Sequence, residues 1–464
     1  MDWSPEHGSL EITTLSRLYE ARALTPGRLI DALQRRLADA RAANIWITRA
    51  DRADLAARVR ALEAADPAGL PLYGIPYAVK DNIDVAGLPT TAACPDFAYR
   101  PDRSATAVER LDAAGAICLG KTNLDQFATG LSGVRSPYGA CASVFNADYA
   151  AGGSSSGSAL AVAAGLASFA LGTDTGGSGR IPAGFNNVVG LKPTRGVIGA
   201  GGLVPNCRTL DCVSIFALTA ADAHRVLLLT RGRDARDPYS RSEADVADLA
   251  WRAPPASFRF GVPARGQREF CGDRDAEALF EAAIARLRGL GGTPVEIDFG
   301  PFRAVSDLMF EGPWVAERYA ALRGFVDTKA DSMLPVTRAI IEGARRWSAA
   351  DTFDALYRLQ ALNQATRTVW SEIDVLAVPT APTALTLRAL EAEPLRANNL
   401  LGTYSYFVNL LDLAAIAVPN GFLPNRLAMG ITLIAPPLSD GRLAGLAGAY
   451  QASLGIAPGR EAAA

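Results

Sequence analysis

Residues able to act as a base are scarce in this sequence. It contains two histidines, His7 and His224, and four lysines, Lys80, Lys121, Lys192 and Lys329, within a Lys+Arg total of 46. Arginine does not give up its proton at any relevant pH, whereas a buried lysine can lose one near neutrality. A lysine base must therefore come from those four. His7 belongs to a polar N-terminal segment. His224, in Ala221-Asp222-Ala223-His224-Arg225-Val226-Leu227-Leu228-Leu229, opens an amphipathic helix and is expected to be structural. Nucleophilic hydroxyls crowd into two turns, Gly152-Gly153-Ser154-Ser155-Ser156-Gly157-Ser158 and Gly172-Thr173-Asp174-Thr175-Gly176-Gly177-Ser178-Gly179-Arg180. A Gly/Ser run alone reads as a flexible loop. A phosphate-binding loop would need a G-K-[ST] ending or a spaced G-x-G-x-x-G before a helix, and neither is present. The two turns flank an apolar stretch and can meet at one edge of a sheet.

The elements around these turns read as an α/β fold. Apolar residues recur at helical spacing over 12–42 and 51–65. Leu72 to Asp84 reads as a short strand ending on a polar cluster that contains Lys80. Residues 105–114 read as a helix, and Ala116 to Gly120 as a buried strand leading into Lys121. The small-residue run Ala159 to Gly172 is too short to span a bilayer of about 30 Å and is expected to be one buried helix. Further on, 259–263 and 373–379 read as core strands, and 274–290 and 351–371 as helices. The charged, Pro-containing stretch 231–255 reads as a surface excursion. Such alternation predicts a mixed β-sheet core covered by helices on both faces.

Composition narrows the function classes. The net charge is -2, with 49% hydrophobic and 20% charged residues. No long basic run calls for a nucleic-acid or anionic-membrane partner. The N-terminus lacks the basic and apolar regions of a secretory signal. The six cysteines (Cys94, Cys118, Cys141, Cys207, Cys212, Cys271) include no C-x-x-C pair, so neither a disulfide framework nor a zinc site is expected. Reduced thiols in a cytoplasmic protein fit this pattern.

With Val79-Lys80-Asp81 upstream and Gly190-Leu191-Lys192-Pro193-Thr194 downstream, the pair of turns resembles the amidase signature. The resemblance extends over essentially the whole chain, through Gly74-Ile75-Pro76, Gly120-Lys121-Thr122-Asn123 and Val378-Pro379-Thr380. It implies one large amidase domain over residues 1–455, with a helical segment of about 1–65 packed on it and a tail at 456–464. By the same resemblance Ser178 is the nucleophile, Ser154 a bridging serine after a cis peptide, and Lys80 the base, with no metal and no cofactor. Serine is a weak nucleophile that needs an adjacent base, and Ser–Lys sets replace Ser–His–Asp on other folds. The N–H groups of Thr175, Gly176, Gly177 and Ser178 are the expected oxyanion donors. Asp174 and Arg180 are expected to brace the turn. Lys121 and Lys192 are expected to anchor loops, and Lys329 to be solvated.

Finer details resemble the allophanate-hydrolase branch of that family. They are Thr122 to Leu131, Arg135-Ser136-Pro137-Tyr138-Gly139, Ser156, Gly179, Glu311 to Tyr319, and Asn409-Leu410-Leu411-Asp412-Leu413. This resemblance implies cleavage of urea-1-carboxylate with release of ammonia, in urea or s-triazine nitrogen breakdown, by a homodimer. Gly130, Arg318 and Phe310 are the implied substrate contacts. Arg318 would hold the carboxylate, while Phe310 stands where the resembling enzymes carry a tyrosine. The further C-terminal domain of longer enzymes of this branch is not expected here. Three alternatives stay open: an amidase for another small amide such as a carboxylated biuret, a glutamine-hydrolysing component of an amidotransferase, and a non-catalytic assembly subunit. Ile181 speaks against the second, since glutamine follows the arginine of the nucleophile turn in its relatives.

Overall fold

The computed structural model describes residues 4, 8–37 and 44–460. His7, the end of the 12–42 periodicity and the last alanines lie outside the described residues. Eleven strands form one sheet: β1 (Trp46–Arg49), β2 (Pro76–Lys80), β3 (Ile117–Thr122), β4 (Phe169–Asp174), β5 (Val189–Lys192), β6 (Cys212–Ala217), β7 (Phe258–Pro263), β8 (Gly292–Ile297), β9 (Val375–Pro379), β10 (Ala414–Phe422) and β11 (Ala428–Ala435). Their order is β1-β3-β2-β4-β6-β5-β10-β11-β9-β7-β8. The sheet is mixed. β2 runs parallel to β3 and β4, and β7 to β8 and β9, while the central pairings are antiparallel.

Every residue of β2, β4, β5, β6, β9 and β11 is buried. Successive strand side chains point to opposite faces, so burial without alternation means that both faces are covered. The helix Ser156–Ala163 packs on β4 and β2, the helix Ala220–Thr230 on β6 and β5, and the helix Asp440–Leu454 on β10. Leu15, Leu29, Leu33, Leu55 and Leu62 from the N-terminal helices join the same apolar core as the sheet.

Two expectations change. The helical periodicity from residue 12 divides into Ile12–Glu20 and Pro26–Arg36. The second helix starts on a Thr25 cap followed by Pro26, a residue suited to the first turn. The run Ala159 to Gly172 is half helix and half strand: the helix stops at Ala163, Gly165 takes φ 68°, and β4 begins at Phe169. Small apolar residues suit a buried strand as well as a buried helix, so periodicity could not separate them. The stretch 231–255 carries no helix or strand. It is pinned through Leu249, whose carbonyl lies 2.7 Å from His224 Nε2. None of the six cysteines is disulfide-bonded.

Candidate active site

β2 and β4 run side by side in parallel, with Tyr77 to Val79 paired to Phe169 to Leu171. Their carboxyl ends therefore emerge together, the usual place for a site in an open α/β sheet. The end of β2 carries Lys80. The end of β4 passes through Thr173 and Asp174 into the turn of Ser178.

Lys80 is fully buried. Its Nζ lies 2.8 Å from Ser154 Oγ and 2.8 Å from Thr173 Oγ1. Burial strips the ammonium of its hydration and lowers its pKa from 10.5 to about 7, against the opposing pull of Asp125, Asp211 and Asp174. Lys121 is engaged otherwise, 3.1 Å from Asp81 Oδ1, and Lys192 donates to the Pro193 carbonyl at 2.8 Å. Lys329 is exposed.

The peptide bond between Gly153 and Ser154 is cis. Loop 125–135 clamps this turn. The Asp125 N–H donates to the Ser154 carbonyl at 3.1 Å, and the Gly153 N–H to the Leu131 carbonyl at 2.8 Å. The Asp125 carboxylate accepts from the N–H groups of Ser132, Gly133 and Arg135 at 3.2, 3.0 and 2.8 Å. A Cβ on Gly153 would fall 2.3 Å from Asp125 Oδ2, which leaves room for glycine alone. Ser155 ties the two turns together, its hydroxyl donating to the Thr173 carbonyl at 3.0 Å.

In the second turn Asp174 accepts from the N–H groups of Gly177 at 2.8 Å and Gly179 at 3.0 Å. Arg180 grips the same carboxylate through Nε at 2.9 Å and Nη2 at 3.0 Å. Burial would raise the Asp174 pKa, but the charge and hydrogen bonds of Arg180 hold it below the ordinary value. Arg180 then reaches on to the Ser405 carbonyl at 3.1 Å and Asn409 Oδ1 at 3.2 Å. Of the four N–H groups expected to face an oxyanion, one is already engaged. The Gly177 N–H is taken by Asp174, whereas those of Thr175, Gly176 and Ser178 donate to none of the described residues. Three donors remain available.

Ser178 opens onto a cavity of about 280 Å³, lined also by Gly130, Phe310 and Arg318. Its hydroxyl makes no hydrogen bond with a described residue, so the expected link from Ser154 to Ser178 is not closed in this geometry. Catalytic hydrogen bonds often tighten only around a substrate. The charged lining consists of Arg135, Arg318 and Arg346, with no Asp or Glu. Arg318 projects from the helix Trp314–Lys329 and pairs with no carboxylate among the described residues, and its Nε is enclosed without a hydrogen-bond partner. Its neighbour Glu317 turns instead to the Thr209 N–H and hydroxyl, at 2.7 and 2.8 Å. Asp211 lies under the turn of Ser178 and accepts from the Thr175 hydroxyl at 2.5 Å. Burial raises its pKa to about 6 despite that bond and those from the Cys207 and Asn206 N–H groups.

Several of these residues escaped sequence reasoning. Thr173 and Asp125 fell inside stretches already singled out, but nothing in their types marked them. Tyr406, which also lines the cavity, comes from a distant loop between helices. Arg346 gave one weak signal, a second arginine beside Arg345 in a short polar segment.

The chain is also similar to known proteins. The sequence profile of the family described as Amidase matches residues 28–444. The urea amidolyase of Saccharomyces cerevisiae is 45% identical over 455 residues, covering 97% of this chain and 24% of that protein. This chain thus spans about a quarter of the length of that relative. The glutamyl-tRNA(Gln) amidotransferase component of Symbiobacterium thermophilum is 36% identical over 482 residues, with 95% of this chain and 96% of that one covered. The solved structure of Kluyveromyces lactis allophanate hydrolase superposes with a TM-score of 0.91 at 41% identity, over 97% of this chain and 73% of that chain. Lysine, paired turns and sheet thus lead to one conclusion: the chain belongs to the amidase family.

Proposed function

We propose that this protein hydrolyses allophanate, urea-1-carboxylate, releasing ammonia. The observation that carries the reading is Arg318, an arginine lining the cavity of Ser178 with its Nε unpaired and no Asp or Glu in that lining. A planar guanidinium fork matches a carboxylate, and a cavity of about 280 Å³ suits a small substrate. Likeness to the Saccharomyces cerevisiae urea amidolyase and the Kluyveromyces lactis allophanate hydrolase supports the same substrate.

In this mechanism neutral Lys80 takes the Ser178 proton through the Ser154 hydroxyl as Ser178 Oγ bonds to the carbamoyl carbon. The oxyanion forms against the free N–H groups of Thr175, Gly176 and Ser178. Loss of such a donor commonly costs about a hundred- to a thousandfold in rate. Collapse expels ammonia, which takes the proton back through Ser154, and leaves an acyl-enzyme on Ser178. Water, deprotonated along the same route, then attacks and frees the serine. The product is a dicarboxylate that loses carbon dioxide. Asp174 and Arg180 hold the turn in shape throughout.

Residues to about 455 act as one amidase domain in this reading, in the cytoplasm, where unbonded cysteines are stable. We also propose a homodimer. Phe353, Leu356 and Tyr357 expose 56%, 40% and 67% of their surface along one side of the helix Ala349–Arg367, and a second copy would cover them. The mass in solution tests this.

The deciding experiment measures ammonia release from fresh allophanate beside biuret, malonamate and a simple aliphatic amide. Strong preference for allophanate is expected. Turnover of the others without allophanate would retire this substrate and keep the Lys–Ser–Ser chemistry.

A further inference from the structure

A carboxylate presents two oxygens with about four acceptor sites, and one arginine fork fills two of them. A carboxylate seated on Arg318 therefore needs other donors, because an enclosed charge left half-bonded binds poorly. Several polar side chains around the cavity are already committed. Asn206 donates its amide to the Phe127 and Ala128 carbonyls, each at 3.0 Å. Arg135 is tied to the Thr129 carbonyl at 2.8 Å and to the Pro394 carbonyl at 2.5 Å. The Thr175 hydroxyl goes to Asp211.

Tyr406 is different. It lines the cavity, is 5% exposed, and its hydroxyl bonds to none of the described residues. Burial raises the pKa of that hydroxyl far above the ordinary range, against the opposing charges of Arg318 and Arg135 and with Asp125 adding to the rise. The ring is held on three sides. Phe310 meets it edge-on with centroids 4.0 Å apart. A Cβ on Gly176 would fall 2.8 Å from Tyr406 Cδ1, so the ring lies directly against the nucleophile turn. On the third side, a Cβ on Gly402 would fall 1.5 Å from Cε2, so the ring occupies space that any other residue at 402 would fill. Phe310 brings no hydroxyl of its own. The amides of Asn398 and Asn399 also line the cavity, but Asn398 Oδ1 is held by the Leu131 N–H at 2.7 Å, and it is the Tyr406 ring that packs against Gly176 of the turn.

We propose that the Tyr406 hydroxyl is the second anchor of the substrate carboxylate, donating to it beside Arg318 and setting the preference for anionic over neutral amides. This rests on the anionic substrate proposed above. The ring also couples the anchor to the turn: a carboxylate drawn onto Arg318 and Tyr406 sits at a fixed reach from Ser178.

Tyr406→Phe keeps the ring and removes the donor, and two readouts follow. The first is KM for allophanate. The second is protection of Ser178 by malonamate against a fluorophosphonate, together with the labelling rate in the absence of malonamate. A hydrogen bond to a charged group corresponds to roughly a ten- to a hundredfold change in affinity. KM and the protecting concentration are both expected to rise by that factor, with labelling of Ser178 in the absence of malonamate far less affected. Values within twofold of wild type overturn the proposal. So does a loss of protection matched by an equal fall in unprotected labelling, which marks a distorted turn. Wild type that neither turns over allophanate nor is protected by malonamate retires the anionic substrate itself. Protection that is equal in wild type and variant retires Tyr406 alone.

Discussion

An enclosed lysine loses much of the hydration that favours its charge, and Lys80 stands at about 7 because three nearby carboxylates return part of that loss. With Lys80 as the proposed base, catalysis needs its proton off, so kcat/KM should rise with pH and level off above about 7. A profile flat from pH 5 to 9 would remove Lys80 from the reaction. Lys80→Arg should be inactive at every pH, because arginine keeps its proton. Arg318→Ala should mainly raise KM for allophanate, since it removes binding shared by the ground and transition states; an unchanged KM would make Arg318 a mere wall of the cavity. Lys80 was legible in the sequence through scarcity, there being four lysines to weigh, and through the pattern around it. The partner of the Gly177 N–H was not. A backbone donor three residues from a carboxylate can turn toward it or away, and only the folded turn shows that Asp174 takes it. Tyr406 carried no signal, because nothing along the chain ties it to the turn of Ser178.

At the scale of elements, the site depends on two turns held at the ends of neighbouring parallel strands. Gly177 has φ 135°, and a Cβ there would fall 2.3 Å from Ser405 Oγ, the group that donates to the Gly176 carbonyl at 2.7 Å. Gly177→Ala is therefore expected to push the turn off Ser405 and shift the donors beside Ser178. Misplacement by about 1 Å can cost roughly a hundredfold, so kcat should fall by that order while circular dichroism stays native. Activity within threefold of wild type would mean that the turn tolerates the shift. The glycines marked this turn in the sequence, as the polar cluster after Val79 marked the end of β2. The division of Ala159 to Gly172 into helix and strand stayed hidden, because Ala, Val, Leu and Gly fit either once both faces are buried.

Across the whole molecule, alternating strands and helices predict a mixed covered sheet, but the strand order lies beyond local pattern. β10 and β11 come late in the chain and yet insert between β5 and β9, a placement fixed by pairings such as Ile416 with Leu191 and Leu433 with Ala377. The distribution of charge likewise appears only after folding. A chain of net charge -2 gathers Arg135, Arg318 and Arg346 around one cavity and keeps acids out of its lining. Arg346 is the exposed member, its guanidinium 4.9 Å above the Trp347 ring and unpaired with any described carboxylate. Such a cation at the rim draws in anions from solution, and salt weakens the pull as the screening length shrinks from about 10 Å at 0.1 M to about 3 Å at 1 M. For an anionic substrate kcat/KM should therefore fall severalfold between low and high salt. Arg346→Glu should lower it by about fivefold at low salt, mostly through KM, with the gap closing at high salt. A neutral amide should show little of either effect. An Arg346→Glu deficit that persists at high salt would place Arg346 in contact with the bound substrate, and no deficit at all would leave the field to Arg318 and Arg135.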